Sequence, residues 1–161
     1  MDMIGKIYPP SSKHHCFILM ATYYLTKWVE AKRYKAVDET EVIGFIKDLI
    51  HRFGIPQTII VDNGTVFDGK IVKSFAAEFG ISLVNSTPYY AQTNGQVESS
   101  NKSLKKRIQR VVEDNPRDWH NLLLDVLWAY MTSPRSGTRV TPYALVYGNE
   151  LCCLWRLLLG P

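Results

Sequence analysis

The chain has 161 residues, of which 46% are hydrophobic and 21% charged, with a net charge of +4. That length suits one domain and that apolar share supports a core, while the mild basic excess suits a polyanionic partner. Three cysteines, Cys16, Cys152 and the adjacent Cys153, exclude a disulfide framework and fit a reducing compartment. No apolar run reaches the roughly 20 residues of a membrane helix, and no signal peptide opens the chain, so neither membrane insertion nor secretion is expected.

In chain order, "MDMIGKIY" is a short strand candidate ending at Pro9-Pro10. "CFILMATYYL" is a continuous apolar run suited to a strand buried on both faces, and "KWVEAKRY" reads as a third strand. The connections are too short for crossover helices, so these three form an antiparallel meander. A helix follows over about 38–53, with Asp38 as cap and Glu41 three residues on. Val42, Ile46, Leu49, Ile50 and Phe53 form its stripe, and Gly54 and Pro56 stop it. "TIIV" is a strand leading to Asp62. A helix over about 69–79 buries Val72, Phe75, Ala76 and Phe79, stops at Gly80, and gives way to the strand "ISLVN". Two such crossover units favour parallel strands. The loop "STPYYAQTNG" precedes a helix over about 96–113. Asn115, Pro116 and Asp118 introduce another, running to about Met131 with Trp119, Leu122, Leu123, Val126, Leu127 and Tyr130 as its stripe. A short helix near "TPYALVYG" comes last. The expected architecture is an α/β sandwich: one mixed sheet flanked by helices.

Asp62 and Glu98 are the most informative residues, with 35 positions between them. Asp62 would stand at the carboxyl end of a parallel strand, the edge where ligands collect in α/β sheets. The same residue before Asn63-Gly64 also suits a plain turn. Glu98 opens its helix, with Lys102 about 40° and Lys105 about 20° away around the axis. It also suits a simple surface pair with Lys102. A two-metal site needs a third carboxylate, and Asp2 is the candidate, if a central strand brings it beside Asp62. "KHHC" at 13–16 lacks the spacing of a zinc site. His51 and His120 read as surface or core-edge histidines, and Trp28, Trp119 and Trp128 as core or interface aromatics.

Together "DMIG", "YLTKWVEA", "VDNGTVF", "YYAQTNGQVES", "WAY" and "TPYALVYG" resemble the catalytic core of retroviral-type integrases, notably those of gypsy-type long-terminal-repeat retrotransposons. The resemblance spans residues 1–148, and residues 149–161 form an off-pattern tail. It implies an RNase H-like fold with a mixed five-stranded sheet, an antiparallel meander plus two parallel strands. It maps the catalytic and metal-binding triad onto Asp2, Asp62 and Glu98, with two Mg²⁺ or Mn²⁺ ions. It places Tyr89, Gln92 and Asn94 on a mobile loop beside the scissile phosphate, and Lys102, Lys105 and Lys106 against DNA. The implied reactions are 3′-end processing and strand transfer of element DNA into target DNA, with no small-molecule substrate. The implied protein is a homodimer or higher multimer, reaching the nucleus from a cytoplasmic particle.

Departures from the family pattern are specific. Only Met1 precedes Asp2, where the family has most of a strand. Tyr23 replaces the usual Asp of that segment, and Met131 the usual Arg. Two alternative readings follow. One is an inactive core from a decayed element that binds DNA or dimerises. The other is a ribonuclease H-type nuclease on the same fold.

Overall fold

A computed structural model describes residues 1–62, 64–86, 91–134 and 139–148, with only the backbone described over 91–101. Three strands, β1 (Asp2–Ile4), β2 (Phe17–Thr22) and β3 (Val29–Tyr34), form an antiparallel meander in the order β1-β2-β3. Asp2 pairs with Met20, and Met20 with Ala31. Strand β1 is shorter than the expected "MDMIGKIY", because pairing with β2 stops at Ile4–Ile18.

Helix α1 (Glu39–Phe53) begins where expected. The Asp38 carboxylate accepts a hydrogen bond from the Glu41 amide at 2.9 Å. It ends at Gly54, whose φ of 83° is a conformation that side chains resist. Strand β4 (Thr58–Val61), helix α2 (Lys70–Glu78) and strand β5 (Ser82–Asn85) follow, and β4 and β5 pair in parallel. Helices α3 (Ala91–Asp114), α4 (Trp119–Met131) and α5 (Pro142–Tyr147) complete the described chain.

Strand β2 shows why one apolar run serves two layers. Its side chains alternate between faces. Leu19 and Ala21 join a core with Val42, Phe45 and Ile46 of α1, Val61 of β4, and Val72 and Phe75 of α2. Ile18 and Met20 join the opposite core with Leu104 and Ile108 of α3 and with Trp119, Leu123 and Tyr130 of α4. The sheet therefore lies between an α1/α2 layer and an α3/α4 layer, as the sandwich reading expects. Truncating one such buried aromatic to alanine costs about 3–5 kcal/mol.

Three expectations need correction. The strands form sheets of three and two rather than one of five. The link between them is one residue long: the Met1 amino group donates to the Ile60 carbonyl, and the Asp62 amide donates to the Met1 carbonyl at 3.2 Å. Helix α3 begins at Ala91, not near Gln96. Asn-Gly reads locally as a turn, and a helical glycine costs about 1 kcal/mol. Each further helical residue still adds a backbone hydrogen bond to an anchored helix. Finally, His120 is 1% exposed, and so lies in the core rather than at the surface or its edge. Its carbonyl accepts a hydrogen bond from the Arg33 guanidinium at 2.8 Å, tying α4 to β3.

Candidate nucleic-acid and metal site

The junction between the two sheets brings two of the three candidate carboxylates to one groove. Asp2 is on β1, and its Oδ1 accepts from the Met3 amide at 3.1 Å. Its Oδ2 lies 2.5 Å from Lys105 Nζ of α3, and the Asp2 side chain is 14% exposed. Asp62 follows β4 directly and is exposed. Its carbonyl accepts from the Gly64 amide at 2.7 Å, so Asp62 also opens the turn that its sequence suggests. Asp62 thus opens a turn and also lines a groove.

Asp2 and Asp62 line one groove of about 440 Å³, with Ser86, Lys102 and Lys105 on its walls. The remainder of the lining, including Met20, Ile59 and Tyr24, is largely uncharged. The Met1 amino group, which donates to the Ile60 carbonyl, feels the charge of both carboxylates. Burial lowers its pKa to about 6, although Asp2 and Asp62 pull it upward; Lys105 adds a smaller downward push. The ammonium of Lys105 is the cation paired with Asp2, while the Met1 amine, with its lowered pKa, is mostly neutral near pH 7.

Glu98 lies in α3, one helical turn before Lys102 and two before Lys105, and its side chain is outside the described residues. Gln92 and Asn94 belong to the α3 backbone, which corrects their expected place on a loop. Tyr89 is outside the described residues. Lys106 is exposed and does not line the groove, as expected for a residue about 100° around the helix from Lys105.

Ser86 was not singled out by sequence, yet a signal exists. Val61 pairs with Asn85 across the parallel strands, so the next residue on each, Asp62 and Ser86, leaves the sheet at one level. The Ser86 amide donates to the Val61 carbonyl at 2.8 Å.

The donor set is chemically hard. Two carboxylates lining one groove suit an oxygen-seeking dication such as Mg²⁺, and the ammonium of Lys105 is the cation that Asp2 holds here. Among the described residues, no three His, Cys, Asp or Glu side chains converge. Glu98 lies outside that set, because its side chain is not among the described residues.

No family model matches the chain. Among curated proteins, it is 32% identical over 138 residues to the Gag-Pol polyprotein of gibbon ape leukemia virus, covering 83% of this chain. It is 30% identical over 155 residues to a Tf2 transposon polyprotein of Schizosaccharomyces pombe, covering 91% of this chain. It is 29% identical over 152 residues to the Pro-Pol polyprotein of feline foamy virus, covering 93%. The chain spans only 13%, 11% and 8% of the foamy virus, Tf2 and leukemia virus polyproteins respectively. In structure it resembles a chain in the cryo-EM structure of a simian T-cell lymphotropic virus intasome bound to a PP2A regulatory subunit. The TM-score is 0.65 and the identity 23%, covering 84% of this chain and 49% of that one. The shared fold, and sequence similarity along nearly the whole chain, lead to one assignment: this chain belongs to the retroviral-type integrase cores of retrovirus and retrotransposon polyproteins.

Proposed function

We propose that this chain is a metal-dependent polynucleotidyl transferase core that trims the 3′ ends of element DNA and joins them to target DNA. The observation that carries this reading is the placement of Asp2, Asp62, Lys102 and Lys105 on one groove. The two sheets would act as a single mixed sheet in the order β3-β2-β1-β4-β5, with Met1 as the junction.

In this reading Asp2, Asp62 and Glu98 hold two Mg²⁺ or Mn²⁺ ions. When bound, such a pair supplies activation of the attacking oxygen and charge stabilisation of the leaving oxygen in an in-line displacement. The chain's own residues do the rest. Asp2 and Asp62 fix the reacting centre to the rigid strand ends. Lys102 and Lys105 offer ammonium groups to the DNA backbone on the same wall of the groove. Such contacts position the duplex without reading its sequence. Tyr89, Gln92, Asn94 and Lys106 would extend the DNA contact around α3 and the segment before it.

The structural neighbour is a chain of a viral intasome, and by extension this chain would work on DNA as a dimer or higher multimer. Its workplace would then be the nucleus.

A strand-transfer assay tests the proposal. The chain is incubated with Mn²⁺, a labelled duplex ending in the element's terminal sequence, and a plasmid target. Joined products that vanish with Glu98→Gln are the expected result. Cleaved RNA from a hybrid, with no joined DNA, would instead support the nuclease reading. Inert protein whose Glu98→Gln variant behaves identically would support the inactive core.

A further inference from the structure

The ion pair between Asp2 and Lys105 joins the first strand to the third helix across the groove. The Asp2 side chain is only 14% exposed and Lys105 35%, with Oδ2 and Nζ 2.5 Å apart. A carboxylate so covered needs a compensating charge. Lys105 supplies it from the position that a cation on Oδ2 would take. A dication and an ammonium against that oxygen repel each other, by about 2 kcal/mol at 4 Å even in water, so they compete for it.

Lys102 is different. It lines the same groove and is exposed, and among the described residues it makes no ion pair. The groove therefore has one lysine committed to a carboxylate and one turned to solvent. A phosphate entering beside Lys102 would offer Lys105 a second anion within reach of its flexible stem.

We propose that Lys105 is a positioning residue that holds Asp2 closed to divalent metal until a DNA phosphate takes its ammonium. This rests on the metal site proposed above. DNA draws Lys105 off Asp2, and Asp2 becomes a ligand. By linkage, metal at Asp2 frees Lys105 for DNA, so each partner raises the other's affinity by the same factor. The device keeps the acids from collecting metal before the substrate is seated.

The test is Mn²⁺ affinity read by electron paramagnetic resonance on the whole chain, with and without a short duplex, each corrected for Mn²⁺ on duplex alone. Lys105→Gln should bind Mn²⁺ about fivefold more tightly than the unchanged chain when DNA is absent, the scale of one ion pair. Lys105→Arg, which keeps the charge, should match the unchanged chain and show that the position tolerates replacement. Duplex should tighten Mn²⁺ on the unchanged chain and add little on Lys105→Gln. Unchanged or weaker affinity in Lys105→Gln overturns the proposal. So does an equal gain in Lys102→Gln, which would reduce the effect to the general field of the groove. Asp2→Asn separates the two readings. Loss of Mn²⁺ there, with no gain in Lys105→Gln, overturns only the displacement. Retained Mn²⁺ affinity in Asp2→Asn overturns the metal site itself.

Discussion

The Asp62 amide donates a hydrogen bond to the Met1 carbonyl at 3.2 Å, while the Met1 amino group donates to Ile60 on the same strand. That pattern sets residue 1 level with residue 61 on parallel neighbours. Asp2, which begins β1, and Asp62, which follows the last residue of β4, therefore face one groove. Two acids 60 positions apart in the chain come to line one groove beside two backbone hydrogen bonds.

DNA binding should be steeply dependent on salt. Each lysine that neutralises a phosphate contributes about 0.9 to the slope of log K against log salt. Lys102→Ala should therefore lower the slope by about one, with similar loss on every duplex sequence. Lys106→Ala, on the exposed side of α3, tests how far around the helix the duplex reaches. Fluorescence anisotropy at several salt concentrations reads both slopes.

The start of α2 depends on a side chain from α1. Glu39 Oε2 accepts from the Ile71 amide at 2.8 Å and the Val72 amide at 3.2 Å, capping a helix whose own cap residue is Gly69. Glu39→Ala should cost about 1 kcal/mol of stability, as loss of a cap does. A β-carbon at Gly69 would lie 2.1 Å from the Glu39 carboxyl carbon, so Gly69→Ala should displace the cap and cost a similar amount. The two changes share one interaction and should not add. Urea unfolding of the two single variants and the double variant measures the coupling.

Stability should fall in mild acid. His15 sits below the ordinary histidine pKa, first through burial and then through Arg33, His120, Lys35 and Lys13. Its Nδ1 is 3.3 Å from Ser11 Oγ, and its ring is 5.5 Å from that of His120. The unfolded chain takes up this proton first, near pH 6.5. The stability present above that value is therefore lost as pH falls through the lower folded pKa. His15→Gln should flatten the dependence of the urea midpoint on pH below neutrality; an unchanged slope would assign it to other groups.

The sequence made the layered fold legible because its signals were local and strong. Asp38 with Glu41 marked a helix start, Gly54 marked its end, and the unbroken run over Phe17–Thr22 marked a strand covered on both faces. The start of α3 was hidden because Asn94-Gly95 is turn chemistry in isolation, and only the anchored helix behind it overrides that preference. His120 was misplaced because Leu122, Leu123 and Val126 outweigh it in any apolar count, whereas α4 buries the face that includes His120, Leu123 and Leu127. The capping of α2 by Glu39 and the arrival of Ser86 beside Asp62 are long-range events. Neither follows from periodicity; the second follows from parallel register once β4 and β5 are paired.

The proposed sharing of a pair of divalent ions by Asp2, Asp62 and Glu98 is open to direct measurement. Crystals grown with Mn²⁺ and a short DNA end test it through the anomalous scattering of manganese. The expected map has two peaks about 3.5–4 Å apart, with Asp2 and Asp62 both in contact and Glu98 closing the site from α3. A map with manganese only elsewhere on the surface, or with Glu98 turned away from strands β1 and β4, would contradict it.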